Sequence, residues 1–227
     1  MKIMRKVISS FLIVSCLLSC NSFIKYPGGE NLINRNLDFN LGWKFVRDSI
    51  NGAETINFND SGWRTVDLPH DWSIEDLPQK SGDTIIGPFS KKSIGATSTG
   101  YVVGGTGWYR KTFTLESEDS IRNISIYFDG VYMESELWVN GIHVGSHNYG
   151  YTPFSFDITS FLNKPGISNL LAMRVKNTGK NSRWYSGSGI YRNVLLTKTN
   201  RLHIENERIA ISSPKVSEAE ATVKIEI

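Results

Sequence analysis

Cysteine is nearly absent from this 227-residue chain. There are two, Cys16 and Cys20, both within the first twenty positions. A disulfide scaffold is therefore excluded. Proline and glycine, at 7 and 20 residues, are not enriched, which excludes collagen-like and low-complexity chains. Excess charge of one sign is also small: 25 Lys and Arg against 22 Asp and Glu leave a formal +3. The apolar run at the N-terminus, Val7 to Leu18, is shorter than the ~20 residues a membrane span needs. What the chain has in quantity is 40% hydrophobic and 11% aromatic residues, enough for the core of one to two globular domains.

The N-terminus explains both scarcities. Lys2, Arg5 and Lys6 precede the apolar run, and Ser19-Cys20 follows it. A basic head, a short apolar stretch and a small residue form a secretory signal. Leu17-Leu18-Ser19-Cys20 resembles the lipobox of bacterial lipoproteins, which implies cleavage before Cys20 and acylation of that residue; ordinary secretory cleavage is the alternative. The expectation is an exported bacterial protein, in the periplasm or at the outer membrane, touching the membrane through an N-terminal lipid only. Loss of residues 1–19 removes three basic groups and no acid, leaving 22 against 22 and zero net charge. Nucleic acid is then excluded as a partner, because phosphate binding rests on clustered excess Lys and Arg. With Cys20 lipidated no free thiol remains, so thiolate metal sites and cysteine nucleophiles are excluded too.

After a polar tether at 20–30, the pattern is period-two alternation broken by Gly, Pro and Asn, with no sustained helical period. Asn123 to Phe128 alternates Ile124, Ile126 and Phe128 with Asn123, Ser125 and Tyr127. Asn140-Gly141 between Met133–Val139 and Ile142–Gly145 predicts a type I′ hairpin, whose two central residues both need positive φ. Further strands are expected at Trp43–Arg47, Trp108–Leu115, Phe154–Asp157, Leu170–Val175 and Ile190–Thr197. Many short strands of this kind predict an all-β, antiparallel jelly-roll sandwich over residues 31–199. A second unit is expected from residue 200, with strands at Leu202–Ile204, Ile209–Ile211 and around Val223, Ile225 and Ile227. An immunoglobulin-like sandwich takes ~100 residues, so the 27 residues from Arg201 onward predict an incomplete domain at the front of a longer polypeptide.

Five stretches resemble the N-terminal sugar-binding domain of glycoside hydrolase family 2. They are Leu41-Gly42-Trp43-Lys44-Phe45, Leu68-Pro69-His70-Asp71-Trp72, Gly107-Trp108-Tyr109-Arg110-Lys111-Thr112-Phe113, Glu136-Leu137-Trp138-Val139-Asn140-Gly141 with Val144-Gly145, and Ser182-Arg183-Trp184-Tyr185 running into Gly189-Ile190-Tyr191-Arg192-Asn193-Val194. They occur in family order, and the Pro-His-Asp-Trp and Ser-Arg-Trp-Tyr-Ser-Gly stretches lean toward β-galactosidase-like members. The resemblance implies a retaining glycosidase acting on terminal β-galactosides or related glycans, with an immunoglobulin-like domain and a catalytic TIM barrel downstream. Retaining chemistry needs an acid/base carboxyl and a nucleophile carboxylate ~5 Å apart, which family members supply as two barrel glutamates. The chain's one Asn-Glu pair, Asn206-Glu207, falls far before any barrel and is read as chance. No catalytic residue and no cofactor is therefore expected here. The rival readings are a stand-alone carbohydrate-binding lipoprotein and an inactive truncated remnant.

The resemblance implies sugar contact from Asn181, Arg183, Trp184 and Tyr185, in a loop that in the family reaches the rim of the barrel pocket. For Arg183 and Trp184, packing of the loop onto the sandwich is the competing reading. Thr99 and Tyr101, in the Gly-rich segment 95–107, resemble a second loop facing the same pocket; a plain surface loop competes, and no Gly-Lys-Ser/Thr ending supports phosphate binding. His70 and Asp71 are read chiefly as structural, with Asp71 bonding turn amides and Trp72 filling the core, and kept as pocket candidates. His143 and His147 have helical metal-ligand spacing but lie on a predicted strand, so no metal site is expected. Of six tryptophans, Trp184 is the one expected to be exposed.

Overall fold

The computed structural model describes residues 35–75, 89–182, 184–204 and 209–227. The signal, Cys20, the tether and Arg183 lie outside the described residues. The strands are β1 Asn36–Asp38, β2 Trp43–Val46, β3 Arg64–Val66, β4 Gly105–Phe113, β5 Asn123–Phe128, β6 Glu134–Val139, β7 Ile142–His147, β8 Phe154–Asp157, β9 Asn169–Asn177, β10 Val194–Thr199, β11 Ala210–Val216 and β12 Ala221–Glu226. No α-helix occurs among the described residues, only short 3-10 turns. The all-β antiparallel sandwich expected from the alternation is what the chain forms.

A four-stranded sheet, in the order β1, β10, β5, β8, faces a six-stranded one, in the order β3, β2, β4, β9, β6, β7. The core lies between them. Ile124, Ile126 and Phe128 point inward from β5, Val194 and Leu196 from β10, and Trp43, Phe45, Tyr109, Leu137, Leu171 and Met173 come from the opposite sheet. The other face of the six-stranded sheet is also covered. Ala53, Trp63, Trp108 and Ala172 form a second cluster there, with Phe58 and Trp138 against it. Burial on both faces explains why β9 reads as the continuous apolar run Leu170 to Met173 instead of alternating. Arg110 on β4 is enclosed by that cover, bonding Asp60 at 2.7 Å and the Ala53 and Thr55 carbonyls.

Several strands lie where the alternation puts them. β5 and β8 match residue for residue, and Asn140 and Gly141 take φ 51° and 81° between β6 and β7. Three differences have physical causes. The strand expected from Ile190 begins at Val194, because Ser188 and Ile190 pair instead with the turn at His70–Trp72. Leu202–Ile204 forms no strand; the Ile204 carbonyl accepts from the Arg35 side chain, a contact 169 residues away in sequence. β1 and β3, three residues each, are too short to carry a readable period. β11 and β12 form a hairpin whose apolar side chains, Ile211, Val216, Val223 and Ile225, are all exposed.

Candidate functional site

The segment Ser188–Ile190 is clamped from two sides. The His70 amide donates to the Ile190 carbonyl at 2.8 Å and the Trp72 amide to the Ser188 carbonyl at 3.0 Å, while Tyr132 and Gly189 exchange two backbone bonds at 2.9 Å. Asp71 reinforces the first pairing. Its Oδ1 accepts from the amides of both Ser73 and Ser188 at 2.8 Å, capping the 3-10 turn Trp72–Ile74 and holding the incoming loop. The Pro-His-Asp-Trp stretch is thus the clamp for the loop 181–189.

A buried polar chain ties that loop to two others. Asn181 donates to Asn177 Oδ1 at 2.8 Å, Asn177 Nδ2 donates to Ser188 Oγ at 2.7 Å, and Ser73 Oγ lies 2.7 Å from both Ser188 Oγ and the Val103 carbonyl. Trp72 adds a bond from its indole nitrogen to the Gly104 carbonyl at 3.2 Å. Buried polar groups this well partnered fix a loop in one conformation.

On the outside, the loop presents Trp184 and Tyr185, 72% and 55% exposed, with ring centres 5.1 Å apart in an edge-to-face pair. Tyr185 also packs on Phe89, at 5.7 Å, and over Gly100. The Gly-rich loop and the 181–189 loop therefore meet where Tyr185 covers Gly100. Within the Gly-rich loop the predicted residues divide. Tyr101 is exposed, with φ 64°. Thr99 points inward, packed over Gly95, and its hydroxyl has no hydrogen-bond partner among the described residues.

His70 stands behind the loop, in a relay of four side chains. The Tyr109 hydroxyl lies 2.7 Å from His70 Nδ1 and donates to it, because in the neutral ring the one N–H is at Nε2, facing the Glu75 carboxylate. His70 Nε2 then donates to Glu75 at 2.8 Å, and Arg64 holds both oxygens of Glu75, at 2.5 and 2.6 Å. Burial pushes His70 below its ordinary 6.5, outweighing the upward pull of the Glu75 bond, so the ring is neutral at pH 7. Burial opposes the Glu75 charge, but hydrogen bonds from Arg64 and His70 hold that carboxyl below its ordinary 4.5. Burial drives the Tyr109 hydroxyl well above 10.0, keeping it a donor.

Sequence reasoning missed Ser73, Asn177 and Phe89, and no local pattern marks them: Ser73 meets Ser188 from 115 positions away. It also missed the tyrosines beside the clamp. Tyr132 lies edge-on to Tyr151 at 5.4 Å, Tyr151 to Tyr149 at 5.8 Å, and Tyr191 donates to the Gly150 carbonyl at 2.7 Å. His143 packs against Trp138 and His147 stacks on Phe154. Among the described residues no group of three or more His, Cys, Asp or Glu is placed to hold a metal ion.

Residues 39–200 match the family model described as "Glycosyl hydrolases family 2, sugar binding domain". The chain is 43% identical over 190 residues to beta-galactosidase BoGH2A of Bacteroides ovatus, covering 83% of this chain and 21% of that protein. It is 29% identical over 214 residues to a beta-glucuronidase of Formosa agariphila, covering 83% and 20%. A family 2 member from Bacteroides cellulosilyticus superposes with a TM-score of 0.77 at 43% identity, over 84% of this chain and 24% of that one. The chain thus spans about a fifth of the length of the curated relatives it matches. Five motifs in family order, the double-sheet sandwich and a model match across most of its length agree: this chain belongs to glycoside hydrolase family 2, through that family's sugar-binding domain.

Proposed function

We propose that this chain is the non-catalytic, carbohydrate-holding front part of an exported glycosidase that releases terminal β-galactosides, and that the chain by itself does not hydrolyse them. In this reading the sugar-holding domain runs from residue 31 to 199, residues 200–227 open an immunoglobulin-like domain, and Cys20 carries a lipid that keeps the protein in the periplasm or at the outer membrane. The observation that carries it is the seating of Tyr185 on Gly100 and Phe89, which joins two loops into one exposed aromatic edge. Aromatic rings stack on the apolar face of a sugar while amides and hydroxyls bond its edge.

In this reading the acid/base and nucleophile carboxyls belong to a downstream barrel. The described carboxylates beside the loop serve the fold: Asp71 accepts from two backbone amides, and Glu75 is held by Arg64 and His70. A β-galactosidase at 43% identity supports the choice of substrate. The β-glucuronidase relative favours a second substrate, a uronic acid, for which Arg183 in the same loop would be the counter-charge.

Saturation-transfer NMR on the 227-residue chain with methyl β-galactoside and methyl β-glucuronide tests the binding. Transfer to the galactoside, lost in Trp184→Ala, is expected; transfer to the glucuronide alone gives the second reading. Turnover of p-nitrophenyl β-galactoside above a heat-killed control would overturn the inactivity. Labelling with a fatty acid, abolished by Cys20→Ser, tests the anchor.

A further inference from the structure

The outward face of the four-stranded sheet carries a second cleft. A cavity of about 710 Å³ opens there, lined by residues of all four strands. The register sets them in rows across the sheet. Asn36, Thr197, Ser125 and Asp157 are cross-strand neighbours in one row, and Leu195, Tyr127 and Ser155 in the next. At ~4.8 Å per strand the first row is ~14 Å long, more than one pyranose ring. The segment 201–204, tied down by the bond from Arg35 to the Ile204 carbonyl, brings His203 to the lining, and Pro153 lines it as well.

Its chemistry is that of a site for a neutral polyhydroxylated chain. The rows hold hydroxyls, an amide, one aromatic ring and one aliphatic side chain. Charge is balanced and mostly committed: Asp157 accepts from the Thr159 amide and hydroxyl at 2.9 and 2.6 Å, and Arg35 is the lining cation of fixed charge. A polyanion would need clustered cations, which the lining lacks. Two buried nitrogens of the lining, Arg35 Nε and His203 Nδ1, have no hydrogen-bond partner among the described residues. Buried polar atoms left without partners are costly, and a ligand hydroxyl would relieve them.

We infer that the cleft over Tyr127, Ser125 and Thr197 is a second glycan site, which holds an internal stretch of a neutral oligosaccharide chain against the outer face of the sheet. None of the residues of the 181–189 loop lines it, so it holds glycan independently of that loop.

The test is affinity electrophoresis of the 227-residue chain in native gels containing soluble galactan, galactomannan or, as the anionic counterpart, polygalacturonate. Retardation by a neutral polymer is expected. It should fall at least tenfold in apparent affinity in Tyr127→Ala and in Ser155→Arg, a substitution at an exposed position that fills the cleft without touching the core, and persist in Trp184→Ala. Thermal melting of each variant confirms that the fold is kept. Retardation by neither neutral polymer, retardation by polygalacturonate alone, or retardation lost in Trp184→Ala but kept in Ser155→Arg would each overturn the inference. The last result would assign all glycan binding to the loop, while failure of the loop reading leaves the Ser155→Arg loss intact.

Discussion

The ring of Tyr185 occupies the space a side chain on Gly100 would need: a Cβ built there overlaps the ring carbons. Gly100 also closes the 3-10 turn Ala96–Thr99 with φ 60°, a conformation that strains other L residues. One glycine therefore shapes the Gly-rich loop and makes room for the aromatic edge. Gly100→Ala should cost more than about 1 kcal/mol, and displace Tyr185. The expected result is a fall of a few degrees in melting temperature together with loss of saturation transfer to methyl β-galactoside.

Trp184→Ala separates binding from stability. The side chain is mostly exposed, and surface truncations of this kind change stability by within about 0.5 kcal/mol. Urea unfolding should be unchanged while saturation transfer to methyl β-galactoside is lost. A large drop in stability would instead mark Trp184 as a packing residue.

Ser188 is fully buried at the centre of the polar chain, between Asn177 and Ser73. Ser188→Ala leaves both with a lost partner and should destabilise by about 1–3 kcal/mol. Because the chain fixes the loops, amide exchange at residues 181–189 should accelerate more than exchange in β5.

His70 gives the fold a pH dependence. Its folded-state pKa lies below the ordinary 6.5, so folding favours the neutral ring. The unfolded state then binds more protons in the window below 6.5, and this contribution to stability, present above it, is lost as pH falls through the folded value. Glu75, also held low, loses its contribution in the same direction but only as pH falls below 4.5. Melting temperature should drop as pH falls below 6.5, and His70→Gln should flatten that slope. An equal slope in the variant would refute the assignment.

Arg110 is buried on β4 with Asp60 and two carbonyls as partners. Arg110→Met removes the charge and leaves those acceptors unpaired; Asp60 is partly exposed, which limits the penalty to about 2–4 kcal/mol. The loop over the outer face of the six-stranded sheet should then become protease-sensitive before the core does.

The class of fold, the position of most strands, the Asn140-Gly141 turn and the family are legible in the order of the amino acids alone. Those features rest on local signals: alternation over six residues, two adjacent positive-φ residues, and short motifs in fixed order. Even the role of Asp71 was legible, because an Asx beside a turn has few uses other than bonding its amides. The tertiary structure decided the rest. It delayed β10 to Val194 by pairing Ser188 and Ile190 with the turn at His70–Trp72, and it turned Thr99 inward while leaving Tyr101 at the surface. It set Tyr185 on Gly100, 85 positions away, and drew Asn36, Thr197, Ser125 and Asp157 into one row from four strands. Such contacts follow from sheet order and register, which are fixed by packing between segments far apart in the chain and leave no mark in the local spacing of residues.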